Sequence, residues 1–161
     1  MKYIKILAIL LITFFLQGCA FDNPKYIHST EKESNNFYTN QIYLKLLEDT
    51  DYSLEILDTN LYKTYKISDD EENVIENFIR SLSQDNFKST EKIEDKPPYE
   101  MKIEFKDKSK YVIKVYNDSN VTISPWDGVF SEDTIDMIDV PLKFNLYDFC
   151  KHIENYPRLN Q

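Results

Sequence analysis

The strongest constraint on the fold is a strict alternation of apolar and charged side chains between positions 99 and 106. The apolar residues are Tyr99, Met101, Ile103 and Phe105, and the charged ones between and after them are Glu100, Lys102, Glu104 and Lys106. A period of two places these sets on opposite faces of a β-strand. Since antiparallel sheets often leave one face to water, the pattern predicts a half-buried antiparallel sheet with a charged outer face.

The other elements are predicted from apolar spacing and from turn residues. Strands are expected at 52–58, 61–67, 99–106, 111–116 and 121–124, and helices at 35–47, 68–82 and 145–154. The order is helix, two-stranded hairpin, helix, three-stranded meander, helix. It predicts an α+β domain with an antiparallel sheet of about five strands and helices packed on one face.

Two of the helices have capping sequences. Ser68 and Glu71 have the spacing of a capping box, in which each side chain accepts a hydrogen bond from the other's backbone. The acidic run 69–72 is therefore interpreted as helix N-terminal chemistry, since carboxylates there complement the helix dipole. Asn145, with Asp148 three residues later, is predicted to cap the last helix. Its inward side is expected to carry Leu146, Phe149, Cys150 and Ile153.

The N-terminus has the features of an export signal. A positively charged start is followed by the apolar run 6–16, which is too short to span a membrane but suits a secretory signal. Leu16-Gln17-Gly18-Cys19 then resembles the lipobox of bacterial lipoproteins. The resemblance implies that Cys19 receives a diacylglycerol and that the chain is cut before it. The expected location is the outer face of the cytoplasmic membrane, with the membrane as partner through that lipid.

The chain therefore divides into four segments. Residues 1–18 are the predicted lipoprotein signal peptide, 19–36 the lipidated cysteine with a flexible tether, 37–157 a single α+β domain, and 158–161 a tail. The tether assignment depends on composition, because its second half is wholly polar and buries too little apolar surface to order itself.

Composition excludes several classes of function. The sequence has two glycines, Gly18 and Gly128, where average usage gives about eleven. Phosphate-binding loops need clustered glycines, so no nucleotide site and no cofactor is predicted. The 28 acidic residues outnumber the 19 basic ones, which argues against nucleic acid. Two cysteines and two histidines cannot supply four zinc ligands without carboxylates.

The turn Trp126-Asp127-Gly128 is the best candidate site. It contains the only tryptophan of the chain. A glycine there indicates a positive φ or a close backbone approach. The indole would then stack on a ligand or anchor a partner, since tryptophan is enriched at binding hot spots. The alternative is structural, with Trp126 packed over the sheet edge and Asp127 capping the turn.

No catalytic residue and no metal ligand is predicted. The acids of 127–139, namely Asp127, Glu132, Asp133, Asp136 and Asp139, have a chemistry that hard cations use, but calcium-loop spacing is absent. Cys150 and His152 are two residues apart in a predicted helix, so they point to different faces and cannot pair as nucleophile and base. Cys150 is expected to be a small buried residue.

From the lipobox to the last helix, the chain resembles small clostridial-type lipoproteins of Gram-positive bacteria with unknown function. The resemblance implies a location and a fold but no activity. The first hypothesis is a binding module with an unidentified protein or cell-envelope partner. Two alternatives remain: an extracellular metal-assisted hydrolase that uses the 127–139 acids, and an inhibitor or immunity lipoprotein whose acidic surface blocks a basic enzyme.

Overall fold

The structure is a computed structural model that describes residues 32, 34–48, 51–88, 93, 95–128 and 131–155, apart from the side chains of Asp69, Asp70 and Glu72. The predicted signal peptide, Cys19, most of the tether and the tail lie outside these residues. The side chains of Asp69, Asp70 and Glu72 also lie outside them, so the helix-dipole interpretation of 69–72 stays a prediction.

Three α-helices and seven β-strands occur among the described residues. The helices are α1 (Phe37–Leu47), α2 (Asp69–Ser81) and α3 (Leu146–Asn155). The strands are β1 (Tyr52–Asp58), β2 (Lys63–Lys66), β3 (Phe87–Lys88), β4 (Tyr99–Phe105), β5 (Lys110–Val115), β6 (Asn120–Pro125) and β7 (Asp133–Asp136). Short 3₁₀ turns occupy Gln84–Asn86 and Leu142–Phe144.

The strands form one antiparallel sheet in the order β2-β1-β4-β5-β6-β7-β3. The predicted α+β class is confirmed, and all five predicted strands are found. The expected number of strands was too low, because β3 and β7 were missed. Strand β3 has only two residues, and β7 begins and ends with an aspartate, so neither shows the apolar alternation of a long strand.

One face of the sheet, here called the inner face, is the dry one. Ile56, Met101, Ile113 and Ile123 pair across four adjacent strands, and all are buried. The three helices contact this face. Helix α1 packs against β6 and β7, α2 packs against β1, and the Tyr147 ring of α3 lies 5.9 Å from the Tyr99 ring of β4. Burying each large side chain contributes about 1.5–3 kcal/mol, so this face supplies most of the stability.

The opposite face, here called the outer face, is the charged one that the alternation predicted. Glu55, Lys102, Val112 and Ser124 form one row across it. None of the three described helices packs on this face, whereas the inner face is covered. Ion pairs between neighbouring strands replace apolar packing here, for example between Glu104 and Lys110 at 2.9 Å.

The two predicted caps have different outcomes. Asn145 caps α3, because its Oδ1 accepts hydrogen bonds from the backbone N–H groups of Tyr147 at 3.0 Å and Asp148 at 3.3 Å. The capping box at Ser68 is wrong. The Ser68 hydroxyl is buried and makes no hydrogen bond with the described residues, and the Glu71 N–H instead donates to the Ser68 carbonyl oxygen at 2.8 Å.

Candidate functional site

The Trp126 turn follows directly from the end of β6. Pro125 is the last residue of the strand and pairs with Tyr111 of β5. The Trp126 N–H still donates to the Lys110 carbonyl oxygen at 3.0 Å, and the chain then leaves the sheet. Gly128 has a φ of 110°, which confirms the turn that its glycine predicted. The β5–β6 pairing therefore fixes the position of the tryptophan.

The indole of Trp126 lies over the outer face and is 39% exposed. The Lys102 ammonium lies 3.5 Å from the ring centroid, which is cation–π geometry. Because Lys102 points outward from β4, this contact places the ring above the charged row. One face of the ring therefore contacts Lys102 of the sheet, while a large part of the residue remains accessible.

A shallow hollow of about 520 Å³ adjoins the indole. Its walls are the turn after β4 on one side and the turn after β6 on the other, with residues Lys108, Ser109, Lys110, Tyr111, Pro125, Trp126 and Asp127. This volume lies within the range of small-molecule pockets, but the hollow is wide open to solvent. It therefore suits a flat or extended partner better than an enclosed ligand.

Charges beside the hollow are held by ion pairs. Glu104 lies 2.9 Å from the Lys110 ammonium and 3.6 Å from that of Lys108. The hydrogen bond from Lys110 lowers the pKa of the Glu104 carboxyl below its usual range. Asp127 is exposed and makes no hydrogen bond with the described residues, so the structure gives no support to the expectation that it caps the turn.

Asp133 belongs to the inner face and has a structural role. It is fully buried, and its Oδ2 accepts hydrogen bonds from the Thr39 N–H and hydroxyl, each at 2.8 Å. It thereby caps the first turn of α1 from a distant strand. Burial raises the pKa of the Asp133 carboxyl, and the bonds from Thr39 and Lys32 only partly oppose that shift.

The other acids of the predicted cluster diverge. Glu132 binds the Lys114 ammonium at 2.6 Å on the outer face. Asp136 lies 3.5 Å from Lys88 and accepts a hydrogen bond from the Ile138 N–H, while Asp139 is exposed. Strand geometry explains the spread, since successive residues of β7 point to opposite faces. In the part of the chain that the structure describes, no group of three or more His, Cys, Asp or Glu residues could hold a metal ion. The hydrolase hypothesis thus lacks its converging carboxylates.

Cys150 is a core residue, as expected. It is 1% exposed, and burial raises the pKa of its thiol far above the usual range. His152 is exposed on another side of α3, so the two side chains do not form a nucleophile and base.

Sequence reasoning missed a second, polar groove between α1 and the end of α2. It has a volume of about 340 Å³ and includes Asn36, Asn40, Tyr43, Arg80 and Gln84 among its walls. These residues come from separate segments, and none belongs to a local motif. No spacing rule could therefore have assembled them.

The turn between β1 and β2 lies at the end of the sheet away from Trp126. Asp58 is buried, and its Oδ1 accepts hydrogen bonds from the N–H groups of Asn60 at 2.8 Å and Leu61 at 2.9 Å. Tyr62 follows with a φ of 52° and is 82% exposed. This tyrosine therefore belongs to a turn beyond the strands and not to the outer face.

The fold and the site define a small α+β protein with one sheet face covered by helices and an opposite face that carries an accessible tryptophan and no described helix. Residues 32–150 match the family described as domain of unknown function DUF4883, and the chain belongs to this family. No curated protein is significantly similar to it.

A crystal structure described as a putative lipoprotein from Clostridium perfringens has a similar fold. The similarity covers 77% of this chain and 98% of that one, with a TM-score of 0.71 and 29% sequence identity. The predicted resemblance to clostridial-type lipoproteins of unknown function is thereby confirmed.

Proposed function

We propose that the protein is exported, lipidated on Cys19 and held at the outer face of the cytoplasmic membrane, where its domain acts as a binding module. The lipobox and the short apolar run before it support the anchor, as does the similarity to a structure named as a lipoprotein. Two acyl chains on one cysteine are enough for stable attachment.

Among the described residues, no helix has the length and apolar character needed to cross a bilayer.

The observation that carries the binding role is the accessibility of Trp126 on the sheet face against which no described helix packs. Tryptophan is costly to leave in water, and it is enriched where one protein binds another molecule. Here the indole is 39% exposed and is positioned by Lys102 and by the backbone of β5. The surface formed by Trp126, Asp127 and Gly128 with the adjoining hollow is therefore the binding surface of this proposal.

The anchor is tested on the full chain expressed in a Gram-positive host. Mass spectrometry of the mature N-terminal peptide should show Cys19 as the first residue with a diacylglycerol attached. The Cys19→Ala variant should lose the lipid and leave the membrane fraction. A wild-type chain with an unmodified Cys19 thiol would contradict the proposal.

The binding surface is tested with cell-wall sacculi and protoplast membranes from the same host. Titrating the full chain with each should shift or quench the tryptophan emission, since Trp126 is the only indole present. In co-sedimentation, the Trp126→Ala variant should bind whichever fraction is positive at least ten times more weakly than the wild type, as for hot-spot residues. Equal binding by Trp126→Ala and wild type would show that the Trp126 surface is not the binding surface. Glu100→Ala, on the same face but away from the turn, is the matched control.

A further inference from the structure

The first described residue shows where the chain from the membrane meets the domain. The Lys32 ammonium donates a hydrogen bond to the Glu132 carbonyl oxygen and lies 3.3 Å from Asp133 Oδ1. Lys32 is well buried there, since its side chain is 8% exposed. It falls within the segment assigned to the tether. The segment that follows Cys19 thus arrives at the start of β7.

This point lies at the same end of the sheet as Trp126. Asp133 pairs with Ile123 of β6, and Trp126 is three residues further along that chain. At the rise of an extended strand, that separation is about 10 Å. The turn from Lys106 to Ser109 lies at this end too, because Trp126 bonds to Lys110 directly after it. We call Lys32, the 106–110 turn and Trp126 the tether end.

The length of the linking segment keeps the tether end near the bilayer. Even fully extended, the chain from Cys19 to Lys32 spans at most about 45 Å. Anchoring therefore converts any contact between the tether end and the membrane into an intramolecular event at high effective concentration. A surface that binds lipid weakly in free solution is then occupied most of the time.

The chemistry of the tether end suits a phospholipid surface. Tryptophan is enriched at membrane interfaces, where its ring lies among the headgroups. Lys102, Lys106, Lys108 and Lys110 all lie in or beside the hairpin that adjoins Trp126. Lys106 pairs with Asp51 and Lys108 with Glu104, but the two lysine side chains remain 70% and 81% exposed. A lysine near an anionic membrane surface contributes about 1 kcal/mol of attraction.

We propose that the partner of the Trp126 surface is the phospholipid headgroup layer of the membrane in which the protein is anchored. The proposal rests on lipidation of Cys19, and it makes the tether end the membrane-facing side of the domain. The indole enters the interface, and the turn lysines contact anionic headgroups. The β1–β2 turn with Tyr62 then faces away from the membrane.

The test uses the single tryptophan of the full lipidated chain, reconstituted in vesicles of phosphatidylglycerol and phosphatidylcholine. Some of the lipids carry bromine at a shallow position of the acyl chain, where it quenches a nearby indole. We expect brominated vesicles to lower the Trp126 emission and unbrominated ones to shift it to the blue. Vesicles of phosphatidylcholine alone should give the smaller quenching, because they lack the anionic headgroups.

A matched variant, Trp126→Phe with Tyr62→Trp, moves the only indole to the opposite end of the sheet. Its emission should not change on bromination. Equal quenching in both proteins, or none in either, would overturn the assignment of the tether end. Unquenched Trp126 in a lipidated chain that binds cell-wall sacculi would give the surface to a different partner.

Failure of Cys19 lipidation can be distinguished from failure of the proposed orientation. A free Cys19 thiol by mass spectrometry, with a chain that does not float with vesicles, overturns the lipoprotein proposal and this one with it. A lipidated, floating chain whose Trp126 is not quenched overturns only the orientation.

Discussion

The two faces of the sheet use alternate residues of the same strands but differ in what they contact. In β4, Met101 is fully buried under the helices, while the neighbouring Lys102 reaches the indole of Trp126 on the uncovered side. The inner face is held by apolar packing and the outer face by ion pairs that solvent screens. The comparison teaches that the stabilising core and the proposed binding surface lie on opposite sides of one strand, so substitutions can separate their effects.

The largest effect is expected from breaking the inner face. Met101→Ala should lower the free energy of unfolding by about 2–5 kcal/mol, because it leaves a cavity in close-packed core. Its neighbour Glu100, on the outer face, is the control: Glu100→Ala should change stability by about 0.5 kcal/mol or less. Urea denaturation measures both. Similar losses for the two variants would show that the faces do not differ as described.

A second prediction concerns the polar exception on the inner face. Asp133→Ala leaves the Thr39 N–H and hydroxyl without an acceptor inside the protein, which should cost about 1–3 kcal/mol. Asp133→Asn keeps an acceptor oxygen and should cost less. A larger loss for the asparagine variant than for the alanine variant would contradict the capping role.

Burial of Asp133 also predicts that the free energy of unfolding depends on pH. Burial raises the folded-state pKa of Asp133 above its ordinary value of 3.8, so the folded protein holds a proton that the unfolded chain releases. The stability of the wild type relative to Asp133→Asn should therefore fall as the pH rises from 3.8 to the raised pKa, and then level off. Unfolding by urea at a series of acidic pH values measures it. A relative stability that increases over this interval would refute the sign.

A third and smaller effect is expected at the turn that holds the outer-face indole. Gly128 has a φ of 110°, which a side chain disfavours. Gly128→Ala should cost about 1–2 kcal/mol and change the emission of Trp126, because the turn must shift. An alanine variant with unchanged stability and emission would show that the glycine is not needed there.

The smallest effect is expected at Lys102. Lys102→Met keeps the aliphatic stem over the ring but removes the ammonium, which should cost about 0.5–1 kcal/mol. Trp126 emission should change while far-UV circular dichroism stays the same. A loss as large as that of Met101→Ala would mean that the outer face carries core-like stability.

The sequence predicted those features of the fold that depend on a few adjacent residues. The alternation from Tyr99 to Phe105 identified both faces, and Gly128 identified the turn, because strand period and positive φ are properties of a few adjacent residues. Strand β7 was missed because Asp133 looked like a surface acid. Its partner Thr39 is far away in sequence, and only the folded chain brings the two together.

For the candidate site, too, the local features were predicted and the tertiary contacts were not. Trp126 was identified by its rarity and by the turn after it, but its contact with Lys102 depends on strand pairing that no local pattern gives. The position of Lys32 beside Asp133 was also hidden, since a polar segment before the first helix reads as a spacer. These two tertiary contacts support the proposal that the Trp126 end of the sheet faces the membrane.

Hydrogen–deuterium exchange of the lipidated chain tests the central claim most directly, by comparing the vesicle-bound protein with the unlipidated Cys19→Ala protein in solution. The account predicts slower exchange in the peptides that contain the 106–110 turn and residues 126–128, with no change at the 59–62 turn. Protection at 59–62 instead, or identical exchange in both samples, would contradict the claim that the Trp126 end of the sheet is the binding side.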